Sequence, residues 1–248
     1  MIRIAAVGDV HLGPDTAGTL RPALDELGEH ADVLLLAGDL TRHGTMDEAR
    51  IVADEFGGLA VPVVAVLGNH DHHSDHPDEI RDLLVDIGIT VLEGEHVVLD
   101  IDGRTLGVAG TKGFGGGFAG KSAGAFGEPQ MKEFVWHCEQ TAASLRAALD
   151  ELAERDCDTR VALTHYAPVP DTLRGEPPEI YPFLGCYQLA EAIDGAGADL
   201  AVHGHAHFGT ERGITPGGVR VRNVAQPVIG GAYAVYCLEP STVGAGSH

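Results

Sequence analysis

An α/β protein with parallel strands is the fold class this sequence predicts, and three observations predict it. Short apolar runs rich in Val, Ile and Leu recur along the chain. Each run ends in glycine, a carboxylate, an amide or histidine. Stretches with helix-like spacing lie between the runs. Strand–helix–strand order of this kind sets strands parallel in one sheet.

The elements follow in order. The run "IRIAAV" ends at Gly8-Asp9-Val10-His11, "DVLLLA" ends at Gly38-Asp39, and "VPVVAVL" ends at Gly68-Asn69-His70-Asp71. Continuous rather than alternating apolar text fits strands buried on both faces. Residues 46–57 and 77–87 fit the intervening helices. Pro77 followed by Asp78 and Glu79 suits a helix's first turn, where proline forfeits no hydrogen bond. The stretch "TVLEGEHVVLDIDGRTLGVAG" reads as short strands with a turn at "IDGR". A Gly-rich loop runs from Gly110 to Gly127, and residues 130–155 read as one long helix. "RVALTHY" is a further strand, 166–184 a Pro-rich loop, and 185–194 a helix. "ADLAVHGHAHFG" is a strand ending in histidines, and the tail reads as a hairpin and a last strand, "AYAVYCLE". No linker or repeat divides residues 1–248, so one domain is expected.

Composition narrows the function classes. The chain carries 37 acidic and 16 basic residues, a formal net charge of -21. Long nucleic acid calls for a basic stripe, and none is visible, so that partner is disfavoured. No apolar run reaches the length of a membrane span, and no secretory leader opens the chain; a cytoplasmic location and no membrane partner are expected. The cysteines (Cys138, Cys157, Cys186, Cys237) are far apart and read as reduced thiols rather than a disulfide frame or zinc knuckle. No pocket-lining aromatic set is legible among 5 Tyr, 7 Phe and 1 Trp.

Every strand-end cluster holds a candidate metal ligand. Open α/β sheets place functional loops beyond the carboxyl ends of their strands. Asp9, His11, Asp39, Asn69, His165, His205 and His207 are therefore expected to converge. These N and O donors are too many for one catalytic zinc and suit two ions sharing a bridging group.

Asp9-Val10-His11, Gly38-Asp39, Gly68-Asn69-His70-Asp71, His165 and Gly204-His205-Ala206-His207 together resemble the signature of the calcineurin-like metallophosphoesterases, in the family's order. The resemblance implies a four-layer sandwich, two mixed β-sheets face to face with helices outside. It implies that Asp9, His11, Asp39 and His207 hold one metal, and that Asp39 bridges to a second held by Asn69, His165 and His205. His70 would then assist the leaving group as hydroxide between the metals attacks phosphorus, with Asp71 orienting His70. The GNHD form points to the phosphodiesterase-type branch. The ligand types suit Mn, Fe or Zn. Small phosphodiesters such as cyclic nucleotides are the expected substrates, and small phosphomonoesters the alternative.

His73 and His76 read as a solvated turn and His203 as structural, while His72 and Lys112 are candidate substrate contacts. "GGGFAGKS" (Gly115 to Ser122) matches the P-loop pattern letter for letter. A true P-loop needs a helix opening at the lysine, and Gly124, Gly127 and Pro129 argue against one. A P-loop nucleotide-binding protein and a metal-free scaffold are the competing classes. A full ligand set counts against the scaffold.

Overall fold

The computed structural model describes residues 1–155 and 157–239. Strand β1 (Ile2–Val7) leads through the short helices α1 (Arg21–Asp25) and α2 (Leu27–His30) to β2 (Val33–Ala37). Helix α3 (Met46–Phe56) then precedes β3 (Val63–Val66), and α4 (Pro77–Asp86) precedes β4 (Thr90–Val91). Helix α3 opens on a capping box: Thr45 accepts from the Glu48 amide while the Glu48 carboxylate accepts from the Thr45 amide. That exchange satisfies two donors the helix cannot satisfy internally.

Strands β5 (Glu95–Ile101) and β6 (Arg104–Thr111) form an antiparallel hairpin. Its turn residues Asp102 and Gly103 both have positive φ, 52° and 78°, as a two-residue turn matched to strand twist requires. The Gly-rich stretch holds a small hairpin, β7 (Gly117–Phe118) with β8 (Lys121–Ser122). The long helix is α5 (Pro129–Glu154), followed by β9 (Thr159–Thr164). The Pro-rich loop contains α6 (Tyr181–Leu184), and α7 (Tyr187–Ala196), β10 (Leu200–His203), β11 (Arg212–Ile214), β12 (Arg220–Asn223), α8 (Gln226–Ile229) and β13 (Ala234–Leu238) complete the chain.

The strands form two large mixed sheets, ordered β13-β1-β2-β3-β4 and β11-β12-β10-β9-β6-β5. Period-two alternation divides each strand between two cores. From the first sheet Ile2, Ile4, Val33, Leu35 and Val64 meet Val108, Val161, Leu163 and Val202 of the second. The opposite faces, with Ala5, Val7, Leu34 and Leu36 on one sheet and Ala109, Ala162 and Ala201 on the other, are covered by helices. The layers are helix, sheet, sheet, helix, as expected. Among the described residues no helix is long and apolar enough to cross a membrane. Cys138 and Cys186 are buried free thiols, and Cys237 is an exposed one.

The P-loop reading is overturned here. Lys121 is exposed on β8, paired with Phe118, and the next helix begins only at Pro129. No helix N-terminus is present at the lysine to cradle phosphate. Lys121→Ala is therefore expected to leave both metal content and turnover unchanged, measured by metal analysis and steady-state kinetics. A nucleotide-binding signal that vanishes in this variant would contradict the hairpin's reading.

Candidate metal centre

The seven expected ligands lie in loops just beyond β1, β2, β3, β9 and β10. Packing the sheets face to face brings the carboxyl ends of these strands together. Four of the residues hold left-handed backbone: Asp9 (φ 55°), His11 (φ 42°), Asp39 (φ 51°) and His205 (φ 69°). Each such residue costs on the order of 1–3 kcal/mol, and strain of this kind gathers where a side chain must be aimed. Two glycines make room. A Cβ on Gly68 would overlap the Asp39 carboxylate and amide, and one on Gly204 would overlap the Asp9 carboxylate. Gly204→Ala is accordingly expected to displace Asp9 and reduce bound metal below that of the parent protein, read by metal analysis of the folded variant. Full metal content would refute the close-packing argument.

Donor atoms of Asp9, His11, Asp39 and His207 all lie within 4.8 Å of one another, and so do those of Asp39, His165 and His205. Asp39 belongs to both groups. His207 Nε2 is 2.9 Å from Asp9 Oδ1, His11 Nε2 is 3.8 Å from Asp39 Oδ2, and His165 Nε2 is 3.3 Å from Asp39 Oδ1. Asn69 joins the second group, its Oδ1 2.9 Å from His165 Nε2.

Protonation suits these residues to metal. Burial pushes the Asp9 carboxyl up to about 6, opposed by the hydrogen bond from His207 and reinforced by the charge of Asp39. Burial lowers His11 to about 4 and His205 to about 3, and takes His165 well below the ordinary imidazole range. Those three imidazoles are neutral near pH 7, the form a metal binds. His207 is raised by its hydrogen bond to Asp9. Backbone carbonyls select the tautomers. His165 Nδ1–H donates to Ala37 O at 2.9 Å, leaving Nε2 as the ligand atom. His205 Nε2–H donates to Phe183 O at 3.2 Å, leaving Nδ1. The buried carboxylates of Asp9 and Asp39, faced by neutral imidazoles held in one orientation, fit a cation.

His70 lies against the first group, its ring 4.5 Å from that of His11 and edge-on to it. Its amide donates to Asp39 Oδ1 at 2.8 Å. Nδ1–H donates to the Arg42 carbonyl at 2.6 Å, which leaves Nε2 for a substrate. The expected pairing of Asp71 with His70 requires correction. The buried Asp71 carboxylate accepts from the amides of Leu40, Thr41 and Gly68 and from the Thr41 hydroxyl. It ties the loop after β2 to the loop after β3, because those four donors leave it no lone pair aimed at the imidazole. Burial pushes its carboxyl up to about 6.

The candidate substrate contacts have distinct settings. The Lys112 carbonyl accepts from the amides of His165 and Tyr166, and its side chain is half-buried. Burial lowers its ammonium, while the charges of Glu93 and Asp39 oppose that shift. His72 is half-buried and lowered to about 4 by burial, with Lys112 adding to the effect. His73 and His76 are exposed. His203 is buried, with Nδ1 on Gly204 O and Nε2 on Thr172 Oγ1, a structural arrangement.

The calcineurin-like phosphoesterase family matches residues 2–209. The chain belongs to that family. This phosphoesterase is accordingly a metal-dependent phosphoester hydrolase. Comparison with curated protein sequences finds no match. A phosphopantetheinyl hydrolase of Mycobacterium tuberculosis shares the fold at a TM-score of 0.70 and 17% identity, over 97% of this chain and 98% of that one. GAP50, the anchor in the inner membrane complex of Plasmodium, shares it at a TM-score of 0.56 and 11% identity, over 91% of this chain and 72% of that one. Likeness at these identities is one of fold, which does not by itself carry function.

Sequence reasoning missed the carbonyls of Ala37, Arg42 and Phe183 as the groups that orient the phosphoesterase's histidines. A carbonyl is the same at every position, so no residue type marks it. One signal was available for Phe183: the Pro-rich loop starts directly after His165 and had to run along the site.

Proposed function

We propose that this phosphoesterase is a cytoplasmic, dinuclear phosphodiesterase for small substrates, with cyclic nucleotides the first candidates. The observation that carries the reading is Asp39, whose carboxylate belongs to both donor groups. Phosphatases and nucleases use two ions about 3.5–4 Å apart that share a bridge. Asp9, His11, Asp39 and His207 would hold one ion, and Asp39, Asn69, His165 and His205 the other. Nitrogen and oxygen donors without a thiolate suit Mn, Fe or Zn. The chemistry such ions supply when bound is a nucleophile made from water near neutral pH and positive charge opposite the phosphoryl oxygens.

The chain's own residues do the rest. His70 in its imidazolium form gives the Nε2 proton to the leaving oxygen as its bond to phosphorus breaks and is left neutral, with Nδ1–H still on the Arg42 carbonyl that holds the ring in place. Lys112 and His72 contact the phosphoryl group or its substituent at the mouth of the site. The net charge of -21 disfavours long nucleic acid and favours small solutes. The GNHD stretch supports diesters over monoesters.

A substrate panel tests this. The metal-loaded protein is expected to hydrolyse 3′,5′-cyclic AMP and bis-p-nitrophenyl phosphate with higher kcat/KM than AMP or p-nitrophenyl phosphate, and a chelator is expected to remove both activities. A phosphopantetheinyl ester belongs in the panel, because a protein of the same fold is named for hydrolysing that group. Faster turnover of monoesters would establish the phosphomonoesterase alternative instead.

A further inference from the structure

Beside the His165–His205 group the fold assembles an aromatic wall from three separate segments. The Tyr166 ring lies 4.4 Å from that of His205, and Phe114 lies 5.9 Å from Tyr166. Phe134 of α5 lies 5.1 Å from Phe114, and Phe183 lies 6.5 Å from Phe134. The circuit closes through the Phe183 carbonyl on His205 Nε2. The Lys112 ammonium sits 5.7 Å from the centre of the Phe114 ring, and His137 meets the same ring edge-on at 4.6 Å.

Tyr166 and Phe114 anchor the wall to the core between the second sheet and its helices, whereas core packing does not account for its outer two rings. Phe134 and Phe183 belong to none of the apolar clusters that make the core. Phe183 is 61% exposed although it adjoins a metal ligand. The Gly-rich loop runs close beneath. A Cβ on Gly115 would stand 3.2 Å from Phe183 Cα and 3.4 Å from the Phe134 ring. The exposed Phe183 ring next to a phosphoester centre, backed by the half-buried Phe134 and by Phe114 with the Lys112 ammonium over it, matches a substrate that joins a planar π system to an anionic phosphate.

We propose that Phe183 and Phe134, backed by Phe114, stack the base of a nucleotide substrate while Lys112 meets its phosphate, making the wall the determinant of specificity for nucleotides over non-aromatic diesters. The inference rests on the phosphodiesterase reading above. The test is the ratio of kcat/KM for 3′,5′-cyclic AMP to that for glycerophosphoethanolamine, a diester without a ring. In Phe183→Ala and, separately, Phe134→Ala the ratio is expected to fall roughly 5- to 100-fold, the range for one lost base–aromatic stack. Merely structural damage would lower both substrates together and leave the ratio in place. An unchanged ratio in both variants overturns the wall. If the parent protein hydrolyses no diester, the phosphodiesterase reading fails by itself, and the same ratio for AMP over glycerol 3-phosphate judges the wall by the same criterion.

Discussion

Asp39→Asn is expected to lose most turnover and at least one metal ion per chain. The carboxylate of Asp39 is the only side chain shared by the two donor groups, with His11 on one oxygen and His165 on the other. Asparagine keeps the size and removes the charge. It also offers one carbonyl oxygen where two carboxylate oxygens served, and an NH₂ group that would point at a cation. The His70 amide donates to Oδ1, so a misplaced side chain also loosens the loop that carries His70. Metal analysis and steady-state kinetics on the same preparation check this. Near-normal turnover with the parent's metal content would refute the assignment of Asp39 as the bridge.

His70→Ala is expected to lower turnover by roughly 10²–10⁴, the range for a positioned acid or base. Metal content should stay at the parent's level, because neither donor group includes His70. The loss should shrink for p-nitrophenolate esters, whose leaving group needs little protonation. His73→Ala and His76→Ala provide the contrast. Both side chains are exposed, and surface changes of this kind usually shift stability by no more than about 0.5 kcal/mol. One large effect and two small ones within this short stretch is the expected pattern. Equal losses at all three positions, or metal lost with His70, would show that the imidazole has a different role. Asp71→Asn offers a further contrast. Asp71 acts through the amides of Leu40, Thr41 and Gly68, so its replacement should cost thermal stability rather than selectively impair substrates with poor leaving groups.

By itself the sequence determined the class of fold and the identities at the metal centre. Apolar runs ending in Asp, Asn or His state both where strands stop and what their ends present, and that information is local. It located α3 and α4 within a residue of their ends, and for α4 the signal was Pro77 with the acidic first turn of Asp78 and Glu79. Only the tertiary structure decided directions. The run "IRIAAV" is apolar apart from Arg3, so nothing in its text says that Ile2 and Ile4 face the other sheet while Ala5 and Val7 face helices. Asp71 stands beside His70 in the chain yet aims at the amides after β2, because the turn that follows β3 directs its carboxylate there. Phe114, Phe134 and Phe183 form a wall only after β6, α5 and the Pro-rich loop are packed together. A side chain's chemistry travels with its letter, but its neighbours depend on backbone direction and long-range packing, which no single stretch of sequence contains.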